Sequence, residues 1–253
     1  MKSRFSAITA SVIFVLLAFQ SSALQAAEIV VFATIAAKST LQELVPGFER
    51  DSNHKLMVRY ATAGELKADI EKGATCDVAL LTAAALDDLA KQGKLSAASR
   101  VMVFRSGVGI AAKRGAPVPT IRTSEELKQA LIAARSVAFS TQGATGPIMR
   151  SIFDGFGIAE TMSPKITLVS TITAAEAVAL GQAELAFTQI SEILDTQDAQ
   201  LIAPLPADVQ VYSSFAAAAS VSTKEPQAVQ AFLKALTTPP TRALMRSKGL
   251  ETD

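Results

Sequence analysis

The chain has 253 residues, with 24 Lys+Arg against 23 Asp+Glu, one cysteine and one histidine. A balance this even lacks the basic surface that nucleic-acid partners need, and the lone Cys76 excludes an intrachain disulfide. The lone His54 excludes zinc sites built on several His and Cys, and any mechanism that needs two histidines.

Residues 1–27 have the three-part pattern of a secretory signal peptide. Lys2 and Arg4 come first, then an apolar stretch from Ile8 to Phe19, then the small residues Ser21-Ser22-Ala23 and Gln25-Ala26-Ala27. The apolar stretch is shorter than the ~20 residues that span a bilayer. Cleavage is expected between Ala23 and Ala27, which leaves a soluble, periplasmic, monomeric chain starting near Glu28. Losing Lys2 and Arg4 keeps its charge near neutral. An exported chain without a disulfide must be held by its core, and this length permits that. Cys76, just before an apolar strand pattern, reads as a buried structural thiol. His54, in the polar link Asp51-Ser52-Asn53-His54-Lys55, reads as an exposed loop residue.

From Glu28 onward, strand and helix patterns alternate. Ile29–Ala33 is a short apolar run and predicts a buried strand. Leu41, Leu44, Val45 and Phe48 recur at helical spacing, with Pro46-Gly47 expected to kink or shorten that helix. Leu56–Tyr60 predicts a strand, Glu65–Lys72 a helix stopped at Gly73, Asp77–Leu81 a strand, and Ala83–Gln92 a helix stopped at Gly93. Val101–Val103 and Val108–Ala112 predict two further strands, and Gly115–Pro119 a loop. Thr123 to Glu126 has the capping-box spacing for a helix carrying Leu127, Leu131 and Ile132. Val137–Ser140 is a strand and Pro147–Phe156 a helix closed by Gly157. Ile166–Val169 is a strand, Thr173 to Glu176 a second capping box, and Leu185–Thr188 a strand. Val209–Phe215 and Ala216–Val221 read as extended chain. Val229, Phe232, Leu233 and Leu236 form a helical stripe near the C-terminus.

Repeated strand–helix–strand units imply an α/β fold, with parallel sheets covered by helices on both faces. Nine or ten strands over this length fit two lobes: 28–107 with 214–253, and 108–213. The chain crosses between them near Gly107 and returns near Ser214.

In open parallel sheets, ligands bind beyond the carboxyl ends of the strands, where helix N-termini present free N–H groups. Four small, hydroxyl-rich strand-to-helix turns fit that role. The first runs from Ala33 to Thr40 and holds Thr34, Ile35, Ala36 and Lys38. The second holds Thr62, Ala63 and Gly64. The third, Ser140 to Pro147, holds Gln142, Ala144 and Thr145, with Thr145 or Gly146 expected as N-cap and Pro147 at the first helical position. The fourth holds Thr171. Gln189, ending a strand, adds an amide able to hydrogen-bond a carboxylate or oxyanion. Lys38 is placed to reach an anion. No Walker loop, dinucleotide fingerprint or Ser–His–Asp constellation is present, and no cofactor or metal is expected.

The opening Ile29-Val30-Val31-Phe32-Ala33, Leu66 to Gly73 running into Cys76-Asp77-Val78-Ala79, the Gly143-to-Gly157 segment and the closing Phe232-Leu233 to Gly249-Leu250 carry a resemblance. In this order and spacing the chain resembles the periplasmic molybdate-binding proteins of ABC transporters, which are type II solute-binding proteins. The resemblance covers nearly all of the exported chain. It implies a two-lobed periplasmic-binding-protein type II fold, each lobe a mostly parallel sheet flanked by helices, closing on a small anionic ligand, with an ABC permease as partner. It also implies ligand contacts at Ala36, Ala63, Thr145, Thr171 and Gln189. The family usually has serines at the first two positions and often a tyrosine at the last. Two lost hydroxyls argue against tight molybdate binding, because an unpaired buried acceptor costs ~1–3 kcal/mol; Thr34 and Thr62 are the residues able to compensate. The same departure resembles the aconitate isomerase branch of this group. That resemblance implies an alternative, the interconversion of cis- and trans-aconitate by an allylic proton shift, with Lys38 the weak candidate for its base. The expected activity is therefore capture of an organic carboxylate or oxyanion for uptake, with isomerisation as the alternative.

Overall fold

The computed structural model describes residues 26–170 and 172–253. The expected leader up to Gln25, and Thr171, lie outside the described residues. Strand β1 (Glu28–Thr34) leads through a single 3-10 turn into helix α1 (Lys38–Ser52), followed by β2 (Lys55–Ala61), α2 (Ala63–Glu71), β3 (Val78–Thr82) and α3 (Ala83–Lys91). Next come the long β4 (Val101–Lys113), α4 (Ser124–Ala133), β5 (Val137–Ser140), α5 (Thr145–Gly155), the short α6 (Ala159–Met162), β6 (Ile166–Val169), α7 (Ala174–Ala179), β7 (Leu185–Gln189) and α8 (Ile190–Asp195). The chain ends with β8 (Ala199–Pro204), β9 (Tyr212–Ala219), α9 (Pro226–Ala235) and α10 (Pro239–Ser247).

The strands are ordered β2-β1-β3-β9-β4-β7-β5-β6, with β8 also paired to β4. β1 is parallel to β2 and β3, and β5 is parallel to β6 and β7. β4 is what joins the two halves of the sheet. Its residues up to Gly107 pair with β9, and from Val108 onward they pair with β7 and β8. Each half is covered on both faces, so its strands are apolar on both sides. In the first half, Ile29, Val31 and Leu80 pack against α1 and α9, while Phe32, Ala79 and Leu81 pack against α2 and α3. In the second half, Ile110, Phe139 and Phe187 pack on one face, and Ala111, Ala138 and Ala186 on the other, under α7. The all-alanine face lets the short α7 sit close to the sheet.

Several sequence expectations are corrected. Val101–Val103 and Val108–Ala112 are parts of one strand, which stays extended through Ser106 and Gly107 and changes partners there. The extended segments at 209–221 likewise form one strand, β9. Pro46 does not break α1: it lies on the exposed face, where the carbonyl deprived of its N–H partner meets water. Helix α5 starts at Thr145, two residues earlier than expected. Pro147 then occupies its third position, still among the N–H groups without an intrahelical acceptor. His54 is not an exposed loop residue. It is 6% exposed, and its Nδ1 accepts a hydrogen bond from the Ala27 N–H at 3.2 Å, tying the start of β1 to the start of β2. Cys76 is buried as expected, and burial together with Asp77 pushes its thiol up to about 12.

Candidate functional site

Where the carboxyl ends of the strands face one another, the two halves of the sheet enclose a cavity of about 560 Å³. Five strand-to-helix turns build its wall, and Phe215 of β9 closes its back. Thr34, Ile35 and Lys38 come from the β1–α1 turn, and Thr62 and Ala63 from the β2–α2 turn. Ala144 and Thr145 come from the β5–α5 turn, and Ile172 and Thr173 from the β6–α7 turn. Thr188, Gln189 and Glu192 come from the β7–α8 turn, which the sequence reading did not count among its turns. A second recess of about 390 Å³ opens beside the first and shares Lys38, Glu176 and Glu192 with it.

The helix starts around this cavity fall into two kinds. Thr62 Oγ1 accepts from the Glu65 N–H, capping α2, and Thr173 with Glu176 forms a complete capping box on α7. Those hydroxyl oxygens accept within their own helices, and each keeps its O–H to donate. Neither α1 nor α5 has a side-chain cap, since their N-cap residues are Ala37 and Ala144. The first-turn N–H groups of α5 are thus available for an anion, in the sense favoured by the helix dipole, whereas α1 runs on from the 3-10 turn and its Lys38 N–H already donates to the Ile35 carbonyl.

The expected site residues separate accordingly. Thr34, Ile35, Lys38, Thr62, Ala63, Ala144, Thr145 and Gln189 line the cavity. Ala36 does not; it is 1% exposed and packs into the core under β1, because the 3-10 turn points it inward. Gly64 and Gln142 form no part of the cavity wall. They meet each other across the rim, where the Gly64 N–H donates to the Gln142 carbonyl at 3.1 Å. A side chain at 64 has no room there, since its Cβ would lie 2.3 Å from that oxygen. Gly146 is enclosed in the same way by Ser140 and Thr141, which explains the glycine in the third turn.

Polar groups in the wall are few and specific. Lys38 forms no ion pair among the described residues. Gln189 is 3% exposed; its Nε2 reaches Thr145 Oγ1 at 3.4 Å and its Oε1 has no partner. An unpaired buried acceptor is uncommon and asks for a donor from the cavity. Tyr60 is raised to about 12 by burial and by Asp195 across the cleft, so it stays a neutral hydroxyl. Glu192 is raised to about 7, chiefly by burial; the Thr188 hydroxyl, hydrogen-bonded to it, opposes the rise and Glu176 adds to it.

Sequence reasoning missed Glu192. Its helix is six residues long and starts at Gln189 without a side-chain cap, so no capping signature marks it. The available signal was position, three residues beyond a strand-end glutamine.

This geometry is a cleft between the two halves of the sheet, open on one side. Residues 29–251 match the family of bacterial extracellular solute-binding proteins, and the chain belongs to that family. Among curated relatives, an aconitate isomerase of a Pseudomonas species is 26% identical over 217 residues, covering 84% of this chain and 83% of that one. Among solved structures, the periplasmic molybdate-binding protein of Azotobacter vinelandii superposes with a TM-score of 0.77 at 18% identity, covering 89% of this chain and 99% of that one. The sulfate-binding protein SubI of Mycobacterium tuberculosis H37Rv superposes with a TM-score of 0.73 at 17% identity, covering 90% and 88%. These likenesses establish the two-lobed α/β binding-protein fold.

Proposed function

We propose that this protein, exported to the periplasm, captures a small organic carboxylate between two lobes, residues 28–107 with 214–253 and residues 108–213, and delivers it to a membrane permease. The observation that carries this reading is the cavity itself. It combines the uncapped start of α5 and an unpaired Lys38 with a volume of about 560 Å³, within the range of pockets for small organic ligands. A dry tetrahedral-oxyanion site needs hydroxyls converging on one point. Here Ala36 is withdrawn into the core, and neither it nor Ala63 carries a hydroxyl. The family's solute-binding role and the molybdate and sulfate binders that share the fold support an anion as ligand. Calorimetry with di- and tricarboxylates, against molybdate, tungstate and sulfate, tests this. Binding of carboxylates, weakened at least about tenfold (1.4 kcal/mol) by Lys38→Ala, is the expected result; binding of molybdate alone overturns it.

A second reading, an isomerase acting on aconitate, is favoured by one relative whose likeness spans 83% of its length and by the carboxyl group of Glu192 in the cavity wall.

A further inference from the structure

The geometry points to Glu192 as the group that moves a proton on the bound ligand, making the cleft a site for shifting a proton between two carbons of an unsaturated carboxylate. This inference rests on the reading of the cleft as a carboxylate site.

Glu192 stands on the wall shared by the main cavity and its side recess, the only carboxyl besides Glu176 in that position among the described residues. Its partners are unusual for a structural carboxylate. No lysine or arginine pairs with it among the described residues. Thr188, on the strand just before it, donates its hydroxyl to one carboxyl oxygen and so fixes the plane of the group. The other oxygen receives no hydrogen bond from the described protein and is left for the cavity. Glu176 faces it from α7, but that carboxylate is bound to the Thr173 N–H in the capping box and is committed to its helix. Lys38 faces it from α1, Tyr60 from β2, and Asp195 and Asp198 line the outer recess. Burial and Glu176 bring Glu192 to about 7, so that both protonation states are populated near neutrality, as a group that takes and returns a proton requires.

The step balances without a co-reactant. The ionised Glu192 takes a proton from a methylene next to a carboxylate-bearing C=C bond. The C–H bond breaks, an O–H bond forms, and the electron pair spreads over the three-carbon system into the carboxylates. Lys38 and the free N–H groups of α5 hold that negative charge. The same proton then returns to the far carbon of the system, the double bond moves one place, and Glu192 is ionised again. Lys38, with its three donors, thus serves the ligand's carboxylates, and the base is Glu192.

The test follows purified protein with cis- or trans-aconitate by proton NMR, with calorimetry on the same samples. Interconversion by the wild type is expected, at a rate that rises with pH and levels off above about 7. Glu192→Gln should bind within a few-fold of wild type and turn over at least about 100-fold more slowly. Glu192→Asp should recover part of the rate, and thermal melts establish that both variants fold. Binding without interconversion, or turnover by Glu192→Gln at the wild-type rate, overturns this inference and leaves the binding role standing. Failure of the wild type to bind any carboxylate removes the reading of the cleft, and this inference with it.

Discussion

Three groups dominate the chemistry of single residues. Glu192 in the folded chain is raised from 4.5 to about 7. The fold therefore favours its protonated form. That contribution is complete below about 4.5 and is lost as pH rises from there through 7. A rise of this size corresponds to an upper bound of roughly 3 kcal/mol. Glu192→Gln keeps the shape and removes the charge, so it should leave stability at pH 4 almost unchanged and raise it at pH 8; urea unfolding at the two pH values measures this. Cys76, pushed up to about 12, should not react with a thiol reagent at pH 8 until the chain is unfolded. Ala27 is buried, its N–H donates to His54 and its carbonyl accepts from the Lys55 N–H at 2.8 Å. Export should therefore leave Ala27 on the mature chain, which the intact mass of periplasmic protein decides.

Helices and strands position these groups through close contacts that leave no room for added atoms. Helix α8, which carries Glu192, sits over β4 at Gly109, where a Cβ would lie 2.7 Å from Ile193 and 2.8 Å from Leu201. Gly109→Ala must turn the ends of the Ile193 and Leu201 side chains out of its way. The expected cost is about 1–3 kcal/mol by urea unfolding. The capped and uncapped helix starts predict opposite responses. Removing the cap of α7 by Thr173→Ala should cost about 1 kcal/mol of stability. The start of α5 has no side-chain cap to lose, and its stabilisation is to come from the ligand.

At the scale of the whole molecule, two sheet halves share β4 and meet again at the rim through Gly64 and Gln142. This backbone contact exists only while the halves are together. Gly64→Ala places a methyl group where the Gln142 oxygen lies, so the helix survives but the halves cannot come together as described. Ligand affinity is expected to fall at least about tenfold. Small-angle scattering with saturating ligand should show a larger radius of gyration for this variant than for wild type; equal radii would remove the rim contact from any account of closure.

Much of this architecture was legible along the chain because it follows from short-range rules. Apolar runs and extended segments located every strand except β8, and Gly73, Gly93 and Gly157, all at positive φ, marked helix ends. Both capping boxes, at Thr123 and Thr173, formed as spaced. The same periodicity placed eight of the expected site residues around one cavity, because strand ends in a parallel sheet share an edge. What the pattern along the chain did not decide depends on what lies opposite in space. His54 is polar and flanked by polar residues, yet a backbone N–H far away in sequence draws it inside. Ala36 stands in a turn of the site but faces the core, since one 3-10 turn rotates it away. Glu192 reads as an ordinary helix carboxylate until Thr188, Glu176 and the facing lobe enclose it, and only that enclosure changes its affinity for a proton. The sequence by itself determined most of the elements, the two-lobed α/β class and the strand-end edge that the cavity occupies, because hydrophobic periodicity and helix capping act within a few residues. Which side chains reach that ligand, and with what charge, only the tertiary structure decided, because burial and electrostatic coupling act between segments that the sequence keeps apart.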